Sequence, residues 1–308
     1  MNKKSRKLIA ELVVNSRATS KELGKKLRTS QQSVNYLIHS LEKNKIIKRY
    51  ITVFDNSKFG LINFIVLVRF KSLEKENEIL KYLKENENVI KIEKLSIGWD
   101  FLVIFSTSNI SHFNKSLREF LIKFKVDRFV VLPIIVKYDF RKTSSGIPNI
   151  LFGDREKIDL NKKEIEICKM LRDNGRSSYL KISKKTGLDP KTVVEIKKRL
   201  EKKGVIKGYS IIFNHSKLNI RRFILLIKLR DYSLEADKEF IEYCKMNKNV
   251  VSLFKCLGEW DVVLEIELEN KTLVEFLKEF RENIIEDYNS SITNEIIKSC
   301  YLPKSVFE

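Results

Sequence analysis

Leu41–Phe54 reads LEKNKIIKRYITVF, and Leu200–Phe213 reads LEKKGVIKGYSIIF, 159 residues further along a chain of 308. The correspondence spreads to both sides. Asn15-Ser16-Arg17 returns as Asn174-Gly175-Arg176, Lys25-Lys26 as Lys184-Lys185, Val34 as Val193, Ser57-Lys58 as Ser216-Lys217 and Phe64-Ile65 as Phe223-Ile224. After a length difference of two residues, Trp99-Asp100 returns as Trp260-Asp261, and Leu117–Phe120 is matched by Leu277–Phe280. A period this long does not belong to a solenoid of short repeats. The chain is a duplicated unit, and each unit is long enough for two small domains.

Charge separates those two domains. Residues 1–50 hold 13 Lys/Arg and 3 Asp/Glu, residues 160–209 hold 15 and 6, and the other 208 residues hold 32 and 31. Nearly the whole net charge of +20 therefore sits in two matched blocks. Ion pairing for heat resistance needs both signs in balance; a concentrated positive field fits a polyanion-binding face.

Each basic block reads as three short helices. The first spans about Lys3–Val14, with Leu8, Ile9, Leu12 and Val13 on one face, and its counterpart spans about Lys162–Arg172. The second follows Thr19 or Ser177 as N-cap and ends near Leu27 or Gly187. The third starts at Ser30, or at Asp189-Pro190, a capping residue followed by proline in the first turn. Val34, Leu37, Ile38 and Leu41, or Val193, Ile196 and Leu200, give it a core stripe. A short apolar strand pair is expected next, carrying Ile46, Ile47, Ile51 and Val53, or Val205, Ile206, Ile211 and Ile212. Three helices and a two-stranded wing make a winged helix-turn-helix.

The segments that follow read strand, helix, strand, strand, helix, strand. In the first unit these are Phe64–Phe70, Leu73–Lys84, Val89–Leu95, Phe101–Phe105, Ile110–Lys123 and Phe129–Val136. In the second they are Phe223–Leu229, Leu234–Cys244, Val250–Leu257, Val262–Leu268, Leu273–Ile284 and Ile292–Ile297. That order is the ferredoxin-like βαββαβ motif. The expected class is α+β, with winged helix-turn-helix domains over 1–55 and 160–214 and βαββαβ domains over 60–138 and 220–303. Residues 139–159, containing Thr-Ser-Ser-Gly and Pro148, read as a linker whose Ile150, Leu151 and Phe152 dock on a surface.

This arrangement resembles the Lrp/AsnC (feast/famine) family of prokaryotic transcription regulators. The residues that carry the resemblance are clearest in the second copy: NGRSS at Asn174–Ser178, the run from Leu188 to Ile220, and Gly258-Glu259-Trp260-Asp261 as the family's Gly-x-x-Asp turn. The first copy has a turn one residue shorter, Gly98-Trp99-Asp100, and ordinary members hold one unit per chain. The resemblance implies DNA binding by the third helix and pairing through the βαββαβ domains. It also implies response to an amino acid or related small molecule near the turns, which marks Gly98, Asp100, Gly258 and Asp261.

The residues reach the DNA reading independently. Opposite the core stripe of the first copy stand Gln31, Gln32, Asn35, Tyr36 and His39. Gln and Asn pair bidentately with adenine edges in the major groove. Ser30 with the helix start, and Lys48 and Arg49 in the wing, suit phosphates. The second copy offers Lys191, Thr192, Glu195 and Lys198, with Lys207 in its wing, so Lys191 suits guanine and Glu195 suits cytosine. The two heads therefore read different bases, and the expected site is asymmetric. The turns also have a plain structural reading, with Gly for the hairpin and Trp filling an interdomain contact.

Other chemistry lacks support. His39, His112 and His215 are scattered, and Cys168, Cys244, Cys256 and Cys300 form no C-x-x-C pair, so neither a metal site nor disulfides are expected. No nucleotide-binding or hydrolase motif is found, and no cofactor is expected. No apolar run reaches about 20 residues and no signal-peptide pattern opens the chain, so the expectation is a cytoplasmic protein, pairing its halves within one chain or between chains. One enzyme reading stays open. Paired units of this architecture resemble haem-pathway decarboxylases acting on sirohaem, which need His and Arg in the βαββαβ layer.

Overall fold

The computed structural model describes residues 1–140, 150–152, 156–280 and 285–307. The first unit opens with α1 (Lys3–Val14), α2 (Ser20–Leu27) and α3 (Gln31–Lys43). Local caps set their starts: Asn2 accepts from Ser5 N–H, Thr19 and Glu22 form a reciprocal capping box, and Ser30 accepts from Ser33 N–H. The elements β1 (Ile47–Phe54), β2 (Ile62–Phe70), α4 (Glu76–Glu85), β3 (Val89–Ser96), β4 (Phe101–Thr107), α5 (Ile110–Lys123) and β5 (Val126–Asp139) follow, then β6 (Ile150–Phe152). The second unit runs α6 (Lys162–Asp173), α7 (Tyr179–Thr186), α8 (Pro190–Lys202), β7 (Ile206–Phe213), β8 (Arg221–Leu229), α9 (Leu234–Met246), β9 (Val250–Cys256), β10 (Val262–Leu268), α10 (Leu273–Phe280) and β11 (Ile285–Ser299).

Several expectations need correction. The cap of α7 is Ser178 rather than Ser177, the helix after β2 starts at Glu76 rather than Leu73, and the last strand begins at Ile285 rather than Ile292. The end of the expected Leu273–Ile284 helix lies outside the described residues. So does most of the linker, although Ile150–Phe152 add to β5 as a short antiparallel strand, and Asp139 ends β5 instead of opening the linker.

The larger correction concerns the wings. Neither unit makes a two-stranded wing of its own. Nothing between Lys48 and Thr52 can reverse the chain into a hairpin, so each block gives one continuous strand. β1 pairs antiparallel with β7 of the other unit, with Tyr50 opposite Ile211 and Thr52 opposite Tyr209. The heads also exchange helices. α1 lies on β7 and α6 on β1, so Ile211 joins the core of the first head, and Ile51, Val53 and Phe54 join that of the second.

The other nine strands form one sheet in the order β2-β4-β3-β11-β8-β10-β9-β5-β6, and β2 also pairs with β5. The first eight of that order therefore close into a ring, joined across the two units by β3–β11 and β5–β9. Alternation sorts the side chains. Ile65, Leu67, Ile224 and Leu226 share an interior core with Trp99 and Trp260. Phe64, Val66 and Val68 pack with Ile79, Leu83, Phe113 and Leu117 of α4 and α5, and Phe223, Leu225 and Ile227 pack with Phe240 and Phe276 of α9 and α10. The two units thus pair within one chain.

Candidate nucleic-acid interface

The repeated words of the sequence hold the heads together. Ser16 N–H donates to Tyr209 O at 3.0 Å, and Gly175 N–H donates to Tyr50 O at 3.1 Å, the same bond in each direction. Arg17 donates to Gly175 O and Ser177 O at 2.8 and 3.1 Å and stacks over Tyr209 at 5.3 Å. Arg176 stacks over Tyr50 at 5.2 Å and donates to its hydroxyl at 3.2 Å. Each tyrosine hydroxyl donates back to a helix glutamate, Tyr50 to Glu42 at 2.6 Å and Tyr209 to Glu201 at 2.9 Å. Burial, followed by the bond to Glu42, pushes the Tyr50 phenol up to about 12. A Cβ on Gly175 would lie 2.5 Å from the Ile51 carbonyl carbon, so the close approach there requires glycine.

On α3, the core stripe turns Val34, Ile38 and Leu41 inward, and Gln31, Gln32, Asn35, Tyr36 and His39 are all exposed, Tyr36 by 74%. Asn35 Oδ1 accepts from Ser20 Oγ at 2.5 Å, which ties the exposed face of α3 to α2. Ser30 Oγ is engaged as the helix cap, so an anion at this end would meet backbone N–H groups. On α8, Lys191, Glu195 and Lys198 are exposed and Thr192 is half-buried. Arg199 and Lys203 belong to the fold instead: both bind Glu164 of α6, at 3.0 and 3.1 Å.

The strand cations are placed differently from the helix residues. Lys48 pairs with Glu295 of β11 at 3.1 Å, Arg49 donates to Asp173 O at 3.4 Å, and Lys207 faces Asp55 at 3.8 Å. Pairing β1 with β7 draws this basic strand into the middle of the molecule, where its cations tie head to head and head to ring. The turn residues form a separate group. Gly98 and Gly258 adopt φ of +80° and +121°. The Asp100 carboxylate accepts from Phe70 N–H at 2.8 Å, and Asp261 accepts from Leu229 N–H at 2.9 Å, Lys228 at 3.3 Å and Tyr232 at 3.2 Å. Both carboxylates thus bind the end of a strand in their own unit, β2 or β8.

Sequence reasoning missed a buried ionic cluster. Arg222 contacts Glu265 at 2.8 Å and Glu93 and Glu267 at 3.2 Å; Lys91 binds Glu93 at 2.5 Å and also Glu265; His215 meets Glu267 at 2.9 Å. Burial works against charge on Glu265, but Arg222 and Lys91 outweigh it and hold the carboxyl well below its usual range. The available signal was charge at alternate positions of otherwise apolar strands, as in Val-Leu-Glu-Ile-Glu-Leu.

The winged helix-turn-helix DNA-binding family matches residues 1–48 and 160–207, one match for each head. An uncharacterised HTH-type transcriptional regulator of Pyrococcus furiosus is 31% identical over 133 residues, covering 42% of this chain and 86% of that protein. The leucine-responsive regulatory protein of Haemophilus influenzae is 31% identical over 120 residues, 39% of this chain and 69% of that one. The chain belongs to the Lrp/AsnC family. Whereas those relatives match less than half of it, this Lrp/AsnC chain has a full-length fold likeness in the siroheme decarboxylase NirDL, with TM-score 0.62, 13% identity, and coverage of 97% and 94%. At that identity the likeness concerns the fold. Among the described residues, no helix of this Lrp/AsnC protein is long and apolar enough to cross a membrane.

Proposed function

We propose that the protein is a sequence-specific DNA-binding transcription regulator with two unequal reading heads, working in the cytoplasm. The observation that carries the reading is the pair of exposed polar faces on α3 and α8, mounted on heads locked to each other by the β1–β7 ribbon. Gln31, Gln32 and Asn35 suit adenine edges, while Lys191 and Glu195 suit guanine and cytosine. The bound site is accordingly asymmetric, with heads in successive major grooves about 34–36 Å apart or a multiple of that. Non-specific affinity comes from lysines around the helices, such as Lys4, Lys25, Lys184 and Lys185, more than from Lys48, Arg49 and Lys207, which have partners within the fold. The turn residues Gly98, Asp100, Gly258 and Asp261 remain the place where the family resemblance puts an amino-acid-like effector.

Selection of duplexes from a random pool tests the reading. A recovered non-palindromic consensus is expected. If about six phosphates are neutralised, log affinity falls against log salt with a slope of roughly −5. A flat salt response and no enriched sequence would reject it.

The enzyme reading has the full-length fold likeness on its side. The charge between ribbon and ring argues against it. Arg222 and Lys91 are already bound by three glutamates, leaving little to grip a tetrapyrrole with many carboxylates. Incubation with sirohaem should give neither a shifted Soret band nor a decarboxylated product; either one would reverse this choice.

A further inference from the structure

Between the ribbon and the ring lies a cavity of about 400 Å³, within the size range of small-molecule sites. Its walls are apolar: Ile9 and Val13 of α1, Ile211 and Phe213 of β7, Ile134 of β5 and Phe254 of β9. Its polar end is the ionic cluster around Arg222, and the ion pair of Arg6 with Glu269 also lines it. The cavity is far from symmetric. His215, Arg222 and Glu267 in the second unit correspond to Asn56, Asn63 and Ser106 in the first. Asn56 donates there to Asn63 at 3.1 Å and to Ser106 at 3.0 Å. One half repeats in neutral hydrogen bonds what the other makes from charges.

The ions of the cluster satisfy one another. Lys91 and Arg222 face Glu93, Glu265 and Glu267, and Lys137 also acts on Glu265. A charged ligand would have to break one of these pairs in a desolvated place. Lys248, which also lines the cavity, is exposed to solvent; among the described residues of the lining, one buried polar atom is left over. Arg222 is 6% exposed, its terminal nitrogens bind carboxylates, and its Nε–H is buried without an acceptor. An unmatched buried donor is costly, so it selects for an acceptor. We propose that the cavity is a ligand site, one per chain, for an uncharged, largely apolar molecule whose carbonyl oxygen accepts from Arg222 Nε–H. Such a molecule touches α1 and β7 as well as the ring, and so fixes the heads against the sheet. That regulatory consequence rests on the DNA-binding reading; the binding itself does not.

Calorimetric titration of the full chain without DNA tests the site, with cyclohexanone as probe. Saturable binding at one per chain is expected, with methylcyclohexane, cyclohexanecarboxylate, cyclohexylammonium and leucine each weaker by roughly ten-fold or more, because each lacks the acceptor or carries charge. Arg222→Lys keeps the charge but removes Nε–H and should cost roughly ten-fold in cyclohexanone affinity. Val13→Phe should fill the cavity and abolish binding with melting unchanged. If Arg222→Lys fails to fold, cyclohexanone against methylcyclohexane reads the same hydrogen bond on the unaltered chain. The proposal is overturned by no saturable binding, by equal binding of the hydrocarbon, by undiminished binding to folded Arg222→Lys, or by binding that survives Val13→Phe.

Discussion

Arg17 and Arg176 show why single residues of the repeat return. Each stacks on a tyrosine of the other head, and each tyrosine donates to a glutamate on the third helix of its own unit. The pairing Asn-x-Arg with Leu-Glu…Tyr was visible as recurrence, but its reason was not, because the partners lie 126 residues apart for Arg176 and Tyr50. The phenol supplies a pH test. Tyr50 ionises near the ordinary value of 10.0 when unfolded and about 12 when folded. The stability this contributes is whole below the unfolded value and is lost as pH rises through the folded one. Thermal melting should therefore fall over that alkaline interval, and Tyr50→Phe should flatten part of the fall. Gly175→Ala should destabilise by about 1–3 kcal/mol, since its Cβ meets backbone rather than a side chain that could move; denaturant titration measures this. Replacing Gln31, Gln32 and Asn35 by Ala should relax sequence preference while leaving binding to random DNA largely intact, which footprints on selected and random duplexes would show.

At the level of elements, the helices were legible because their signals are local. Thr19, Ser30 and Asp189-Pro190 mark starts within a few residues of the groups they cap. Neighbouring serines, Ser177 and Ser178, displaced one start by a single position, and α4, whose N-cap Lys75 makes no side-chain bond, was placed three residues early. Strand existence was legible too, from apolar runs. Strand partnership was not: the missing turn between Lys48 and Thr52 denies β1 a hairpin, but nothing in the strand names β7 as its neighbour, since any β edge offers the same N–H and C=O groups. The ionic cluster crosses β3, β8 and β10, so a single strand shows its charged positions but not their partners. Glu93→Ala takes a carboxylate from both Lys91 and Arg222 in a desolvated place and should cost about 3–5 kcal/mol in chemical unfolding. Burial pulls Glu93 and Glu265 up, but Arg222 and Lys91 outweigh it and hold both below the ordinary carboxyl value of 4.5. Their contribution is complete above that value and disappears as pH falls beneath it, so acid unfolding should begin earlier in Arg222→Lys than in the parent.

For the whole molecule, closure of the ring within one chain has a measurable result. A dimer of separate subunits melts lower on dilution, whereas this chain carries both halves already, so its melting temperature should hold across a hundred-fold dilution or so. Differential scanning fluorimetry at several concentrations checks this, and a strong dependence would mean that strands are exchanged between chains. The duplication was evident from sequence alone; that the halves embrace each other was left open, because recurrence is blind to which copy a strand meets. The contrast of Asn56, Asn63 and Ser106 with His215, Arg222 and Glu267 follows from that embrace. In a protein made of two identical subunits, any codon change is felt on both sides of the twofold axis, and a new cation beside the axis confronts its own twin. Fusion lifts that obligation. One side can become ionic while the other stays neutral, so a tandem gene can explore lopsided interiors closed to its single-unit cousins.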